Sequence, residues 1–181
     1  MMGMLQLDGQ ILLWIQEYLR TPWLTKFFTV ITRLGDMGSF WILLAILFLL
    51  VPKLRKTGIH SLEAMAGSFL INNLFLKNVI ARTRPYEAVE GLTRLIEKQS
   101  DFSFPSGHTA TSFAMAVILY RELPKKYGIC FLVLAGLIAL SRLYLGVHYP
   151  TDVLAGAISG TLIALAVEKL NERYHMKKEL S

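Results

Sequence analysis

Apolar residues dominate five stretches of this chain, and charged or helix-breaking residues bound each of them. The stretches cover residues 39–55, 58–80, 106–120, 127–145 and 152–168. A helix that crosses a membrane needs about 20 apolar residues, so the first stretch is short and relies on flanking Lys and Arg side chains that reach the membrane surface. The pattern predicts an all-α integral membrane bundle with five transmembrane helices.

The first 36 residues follow a different pattern. From Asp8 onward, apolar residues recur at helical spacing with polar residues between them, which is typical of a helix lying in the membrane interface. Thr21 and Pro22 then predict the N-cap and first position of a second short amphipathic helix, which Gly35 ends. We expect two interfacial helices on the outer face. The alternative is that they pair as a re-entrant segment or a sixth span.

These patterns divide the chain into three parts. We expect amphipathic interfacial helices over residues 1–36, a transmembrane core over residues 37–172 and a cytoplasmic tail over residues 173–181. Charged residues such as Asp8 and Arg20 interrupt what would be the apolar region of a signal peptide, so we expect the amino terminus to be retained.

Composition supports the membrane setting. The 181 residues are 54% hydrophobic, with a mean hydropathy of +0.46, and a soluble domain of this length would have to hide every apolar stretch in one small core. The single cysteine, Cys130, allows no intramolecular disulfide, and its apolar surroundings predict a small buried hydrophobic residue.

Charge placement orients the predicted helices. Lys and Arg concentrate on the cytoplasmic side of membrane proteins, and ten of the 19 Lys and Arg residues fall on one side of the predicted bundle: Lys53, Arg55, Lys56, Arg121, Lys125, Lys126, Lys169, Arg173, Lys177 and Lys178. Four cations fall on the opposite, outer side, where acidic residues offset them: Arg82, Arg84, Arg94 and Lys98, with Glu87, Glu90, Glu97 and Asp101. Because helices separate the cations, we expect no nucleic-acid partner.

The outer side also carries the first of three candidate segments. Lys77 and Arg84 are seven residues apart, about two helical turns, so both are expected on one side of the same helix end. Pro85 is expected to end that helix and leave the Arg84 guanidinium free to contact two oxygen atoms. The alternative for Lys77, and for Arg82 on another face, is a cation that anchors the helix at the membrane surface.

The second segment is Pro105-Ser106-Gly107-His108, directly before a helix rich in small residues. Ser106 as the cap would leave backbone N–H groups of Gly107 and His108 at a helix N-terminus, where an anion is favoured. Taken alone, the segment is also compatible with an ordinary cap that binds nothing.

The third segment joins Ser141 and Arg142 to His148 and Asp152. Asp152 follows His148 by four residues and is expected to reach back to its ring, which fixes the tautomer and leaves the other nitrogen free to attack. A capping Asp and an interfacial His are the alternative. Ionisable groups at the edges of apolar stretches indicate function, and cations together with two His residues indicate a phosphate site.

Together the segments resemble the three signature motifs of the type 2 phosphatidic acid phosphatase superfamily. Lys77-x6-Arg84-Pro85, Pro105-Ser106-Gly107-His108 and Ser141-Arg142-x5-His148-x3-Asp152 match every signature position in the right order. The resemblance implies a helical membrane bundle with an extracytoplasmic active site, no metal and no cofactor. The chain is similar in particular to compact bacterial members that act on undecaprenyl diphosphate. These members lack the additional amino-terminal span of the family's six-span members.

The resemblance also implies a role for each signature residue. His148 would be the nucleophile, Asp152 would orient it, and His108 would be the general acid that later activates water. Five residues would hold the phosphate oxygens: Lys77, Arg84, Ser106, Gly107 and Arg142.

The expected activity is hydrolysis of a lipid phosphate at the outer leaflet of the cell membrane. Undecaprenyl diphosphate is the first substrate, with phosphatidylglycerophosphate or phosphatidate as the alternative, and the oligomeric state stays open. A different class is a non-enzymatic bundle that binds or translocates lipid through the same anion site. A zinc site of His108, His148 and Asp152 is a further alternative, which the surrounding cations disfavour.

Overall fold

The computed structural model describes residues 2–179, and no β-strand occurs within that range. Its α-helices, in chain order, are α1 (Met2–Tyr18), α2 (Pro22–Arg33), α3 (Ser39–Leu50), α4 (Arg55–Ser68), α5 (Lys77–Ile80), α6 (Pro85–Ala88), α7 (Gly107–Glu122), α8 (Lys125–Tyr144) and α9 (Pro150–Glu179). A π-helical segment, Phe69–Leu76, connects α4 to α5 without a break. The all-α fold predicted from the sequence is confirmed.

Helix α7 lies at the centre of the bundle, in contact with α4, α8 and α9. Its buried side chains are small or apolar: Ala110, Ala114, Met115, Ala116, Ile118 and Leu119. Glycines let α9 approach α7 closely, because a Cβ atom at Gly156 would lie 2.7 Å from the carbonyl oxygen of Ser106. This contact sets the start of α9 against the start of α7.

Three helical stretches in the described range are long and apolar enough to cross a membrane: Pro52–Ala88, Lys125–Tyr144 and Pro150–Tyr174. A fourth candidate is the pair Pro22–Arg33 and Asp36–Leu50, which bends by 44° at its break. The stretches predicted as five spans are helical, and the number that cross the membrane completely stays a prediction. Helix α7 has 16 residues, fewer than the roughly 20 of a full span. Its polar side chains find partners within the bundle, since the indole of Trp41 donates to Ser112 Oγ at 3.0 Å.

The amino-terminal region forms the two helices expected from its pattern. Thr21 caps α2 by accepting a hydrogen bond from the amide of Leu24 at 3.3 Å, and Pro22 begins the helix. Helix α1 contacts α8 and α9, and α2 contacts α8. The bend between α2 and α3 is compatible with both an interfacial and a re-entrant arrangement, so the division after residue 36 stays a prediction.

Two other expectations concern Cys130 on α8 and the carboxyl-terminal tail. Cys130 is exposed on α8, so the expected burial of this residue is wrong, because its side of the helix faces away from the bundle. Helix α9 continues to Glu179, and residues 180 and 181 of the predicted tail lie outside the described residues.

Candidate active site

The three segments meet at one end of the bundle, around a single cavity that we call the site cavity. Residues from all three segments line it: Lys77, Arg84, Gly107, His108, Arg142 and His148. Met37, Met65 and Phe69 add apolar side chains to the same wall. The cavity therefore combines a cationic floor with an apolar flank.

His148 lies in the short connection between α8 and α9 and is almost fully buried. Its Nε2 atom is 3.2 Å from Nη1 of Arg84, and its Nδ1 atom is 3.5 Å from Oδ2 of Asp152. Burial, followed by the positive charges of Arg84 and Arg142, lowers the pKa of His148 well below its usual value. The ring is therefore neutral near pH 7, as a nitrogen nucleophile must be.

Asp152 is fully buried in the first turn of α9. Its Oδ1 accepts a hydrogen bond from Nη1 of Arg82 at 2.6 Å, and its Oδ2 accepts from the Ser103 hydroxyl at 2.5 Å and from the Tyr149 amide at 3.0 Å. Since Nδ1 of His148 has no closer partner among the described residues, Asp152 is the carboxylate available to orient it.

The predicted shared helix for Lys77 and Arg84 is wrong. The helix carrying Lys77 ends at Ile80, because Ala81 adopts a left-handed conformation with φ of 46°. Arg84 is extended and precedes α6, so Pro85 begins a helix instead of ending one. The two cations still converge, but through a turn and not through helical periodicity.

Asp101 brings Lys77 and Arg84 together. Its carboxylate forms an ion pair with the Lys77 ammonium and accepts a hydrogen bond from Nη2 of Arg84 at 2.5 Å. Burial alone would raise the pKa of Asp101, but the two ion pairs outweigh it and lower that pKa to about 2. A carboxylate therefore occupies the two cations that the sequence assigns to phosphate.

Arg142 lies in the last turn of α8 and is 1% exposed. Its Nη1 donates to the Thr32 hydroxyl at 2.7 Å, whereas its Nε and Nη2 have no hydrogen-bond partner among the described residues. Burying a cation with unused donors is costly unless a ligand satisfies them. Arg142 is thus prepared for an anion in the cavity.

The second segment begins α7 as the sequence predicts. Ser106 is the N-cap, and its Oγ accepts a hydrogen bond from the Thr109 hydroxyl at 2.9 Å, so the Ser106 hydroxyl is engaged within the cap. Gly107 leaves room for Asn73, because a Cβ atom at this position would lie 2.9 Å from the Asn73 amide nitrogen. A phosphate contact of the Ser106 hydroxyl stays a prediction.

His108 follows in the first turn of α7 and faces the cavity. Its Nε2 is 2.9 Å from Oδ1 of Asp36, which lies in the turn between α2 and α3. Gly35 gives the ring space, since a Cβ atom there would lie 2.7 Å from Cδ2 of His108. The histidine and carboxylate form a second pair across the cavity from His148.

Sequence reasoning missed four residues of this site: Asp36, Arg82, Ser103 and Asp101. The sequence pattern predicts a membrane-surface anchor for Arg82 and an acidic residue that offsets outer cations for Asp101, because both lie outside the signature spacing. A charged side chain within a predicted membrane edge was the signal for Arg82. Ser103 and Asp36 gave none, since their partners are distant in sequence.

The arrangement suits the transfer of a phosphoryl group. Three cations converge on a neutral imidazole, and a second histidine with its carboxylate lies across the cavity. Within the described part of the chain, no three His, Cys, Asp or Glu side chains group closely enough to hold a metal ion, so the zinc alternative finds no ligand cluster.

Known proteins are similar to this chain in sequence and in structure. The family model of the PAP2 superfamily matches residues 57–174. Undecaprenyl-diphosphatase of Sulfolobus acidocaldarius is 33% identical over 138 residues, which are 76% of this chain and 66% of that protein. Phosphatidylglycerophosphatase B of Bacillus subtilis is 35% identical over 167 residues, covering 86% of this chain and 79% of that protein.

A solved structure shows the same fold. The crystal structure of a transmembrane PAP2 type phosphatidylglycerolphosphate phosphatase from Bacillus subtilis superimposes with a TM-score of 0.78 and 31% identity, over 94% of this chain and 87% of that one. The chain spans just under two thirds of the Sulfolobus protein and more of the Bacillus proteins. The region that the PAP2 family model matches includes all three motifs and the last four of the five predicted hydrophobic stretches. The chain therefore belongs to the PAP2 superfamily and is an integral membrane protein of that family.

Proposed function

We propose that this chain is a membrane lipid phosphatase that acts through a phosphohistidine on His148. The observation that carries the proposal is the position of His148 Nε2, 3.2 Å from Nη1 of Arg84, in a cavity whose walls also carry Lys77 and Arg142. Membership of the PAP2 superfamily supports the phosphatase class.

In the first step, Nε2 of His148 attacks the phosphorus atom. The N–P bond forms as the bond from phosphorus to the leaving oxygen breaks, and protonated His108 gives its proton to that oxygen. Asp152 holds Nδ1–H of His148 and stabilises the positive charge that the ring acquires.

In the second step, water attacks the phosphohistidine. Neutral His108 accepts a proton from the water, the N–P bond breaks, and inorganic phosphate leaves. Asp36 keeps His108 oriented through both steps, because Oδ1 of Asp36 is 2.9 Å from Nε2 of His108.

Stabilisation of charge supplies most of the catalysis. The transferred group spreads negative charge over three oxygens, and fixed donors aimed at them lower the barrier. Lys77, Arg84, Arg142 and the Gly107 amide are the donors, with the Ser106 hydroxyl as the fifth expected contact.

Undecaprenyl diphosphate is the first proposed substrate, and its product would be the monophosphate carrier. The support is the Sulfolobus relative, named an undecaprenyl-diphosphatase. Phosphatidylglycerophosphate is the second candidate, because the phosphatidylglycerophosphatase of Bacillus aligns over more of this chain. The apolar flank of the cavity suits the lipid tail of either.

We further propose that hydrolysis occurs at the outer leaflet of the cell membrane. The support is the charge distribution: the cavity lies at the end of the bundle opposite Lys53, Arg55 and Lys126, which the positive-inside rule assigns to the cytoplasm.

The test compares purified wild-type chain and His148→Ala on prenyl diphosphate, phosphatidylglycerophosphate and phosphatidate, with a chelator present. We expect phosphate release and an acid-labile phosphoprotein from the wild type only, with lipid binding retained in the variant. Lipid movement between leaflets without phosphate release, unchanged by His148→Ala, would instead support a translocating bundle.

A further inference from the structure

We propose that Asp8, on the amino-terminal helix α1, is a positioning residue for the nucleophile, acting through Arg82 and Asp152. The inference rests on the proposed function and extends it to a helix outside the matched region of residues 57–174. It assigns Asp8 no contact with substrate.

Asp8 is a buried carboxylate, only 3% exposed, on a helix that otherwise presents many exposed side chains. Its Oδ2 accepts hydrogen bonds from Nη2 of Arg82 at 2.7 Å and from the Thr151 hydroxyl at 2.5 Å. Its Oδ1 accepts from the Thr151 amide at 3.2 Å. The three hydrogen bonds offset the free-energy cost of burying the Asp8 carboxylate, which would be high without them.

Arg82 divides its charge between two carboxylates. While Nη2 serves Asp8, Nη1 serves Asp152 at 2.6 Å, and the guanidinium lies 3.8 Å above the ring of Tyr149. Stacking and the two ion pairs fix the planar group in one orientation. The guanidinium therefore transmits the position of Asp8 to Asp152.

Asp8 also holds the start of α9 directly. The Thr151 amide is one of the first N–H groups of that helix, which have no partner within it, and a carboxylate there is favoured by the helix dipole. Asp8 thus supplies from another helix the cap that fixes the turn containing Asp152, one residue further on.

Precision matters at this point because the orienting contact is long. Oδ2 of Asp152 is 3.5 Å from Nδ1 of His148, so a small shift of α9 decides whether a hydrogen bond forms. Charge acts in the same direction. Without Asp8, the whole positive charge of Arg82 would fall on Asp152, which would then stabilise the imidazolium of His148 less.

The experiment measures Asp8→Asn, Asp8→Glu and Arg82→Gln in the full chain, with Glu17→Gln as the control, because Glu17 is an exposed carboxylate on the same helix. For Asp8→Asn we expect kcat to fall about 10- to 100-fold, the range that misplacing a reacting group produces. KM and the inhibition constant of inorganic phosphate should stay within about two-fold, because Asp8 does not line the site cavity.

Two further results would support transmission through Arg82. Asp8→Glu should recover part of kcat, and the double variant Asp8→Asn/Arg82→Gln should be no slower than Arg82→Gln alone. Glu17→Gln should match the wild type in every constant.

Two results for Asp8→Asn would overturn the inference while leaving the proposed function intact. One is a kcat like that of the wild type. The other is a loss of kcat accompanied by weaker phosphate inhibition and a higher KM, which would mean that α1 supports the whole cavity. A wild-type chain that releases no phosphate would overturn the proposed function itself.

Discussion

The two ends of the bundle carry similar groups in opposite settings. Each end has several cations and at least one histidine that faces a carboxylate: His108 with Asp36 and His148 with Asp152 at the cavity end, and His60 with Glu122 at the other. At the cavity end, Lys77, Arg84 and Arg142 are between 1% and 4% exposed. At the other end the cations are exposed: Lys53, Arg55, Lys56, Arg121, Lys125, Lys126, Lys169 and Arg173.

The comparison separates two uses of positive charge. Exposed cations remain hydrated and orient the chain in the membrane, and any one of them contributes little. Buried cations have lost their water and need partners, yet Nε and Nη2 of Arg142, a residue that lines the cavity, have no hydrogen-bond partner in the described part of the chain. The buried nitrogen atoms of Arg142 that lack partners beside the cavity, and not the number of cations, therefore mark the anion site.

The largest expected contrast lies between the two histidines. His108→Ala should slow hydrolysis of a substrate with an alcohol leaving group by about 10²- to 10⁴-fold, because the general acid is lost. A substrate with a good leaving group should still phosphorylate His148. The measurement is kcat and phosphoprotein yield on both substrate types, and equal activity of the variant on both would refute the assigned acid.

His60→Ala is the matched control at the opposite end. His60 is buried against Glu122, so its removal should lower the free energy of unfolding by about 1–3 kcal/mol and leave the dependence on leaving group unchanged. A thermal unfolding curve in detergent checks the first effect. A dependence on leaving group that follows His60 would contradict the assignment of roles to the two ends.

The next contrast compares two arginines. Arg142→Ala should reduce kcat/KM by about 10²- to 10³-fold, or about 2.7–4 kcal/mol of transition-state stabilisation, as for loss of one fixed donor. Arg121→Ala, at the other end, should change kcat/KM by the equivalent of less than about 1 kcal/mol, because the ion pair of Arg121 with Glu168 is half exposed. Steady-state kinetics of both variants measure the difference, and a near-normal rate for Arg142→Ala would move that residue to a packing role.

A smaller effect is expected from Asp101. Substrate phosphate must compete with its carboxylate for Lys77 and Arg84, so Asp101→Asn should lower KM a few-fold, on the order of one weak ion pair. Since the pKa of Asp101 is about 2, the carboxylate is ionised, and the effect on KM should be constant from about pH 5 to about pH 8. Glu97→Gln, an exposed carboxylate of the same loop, is the control. A higher KM for Asp101→Asn would show that Asp101 holds the cations in place for substrate.

The smallest effect is predicted for the exposed cations. Replacing both Lys125 and Lys126 by Gln should change kcat and KM by less than about two-fold, because neither lies near the site cavity. Orientation should respond instead, and protease accessibility of the carboxyl terminus in sealed vesicles measures it. A large loss of kcat in correctly oriented protein would contradict the division between the two ends.

Much of this molecule could be predicted from local pattern. Apolar stretches gave the helices, Thr21 with Pro22 gave the start of α2, and Ser106 gave the start of α7. Such features depend on neighbours within one or two turns, which the sequence displays directly. The prediction that Lys77 and Arg84 share a helix is wrong because Ala81 adopts a left-handed conformation and the helix ends early. Alanine rarely adopts this conformation, so the residue type does not predict it.

The sequence by itself determined the helices, the membrane setting and the residues that carry the signature motifs. Only the tertiary structure decided which carboxylate meets which cation: Asp101 with Lys77, Asp36 with His108, and Asp8 with Arg82. The reason is physical. Pairing between groups tens of residues apart depends on how helices pack and where loops turn. The sequence therefore identifies each charged residue but not the partner that it contacts after folding.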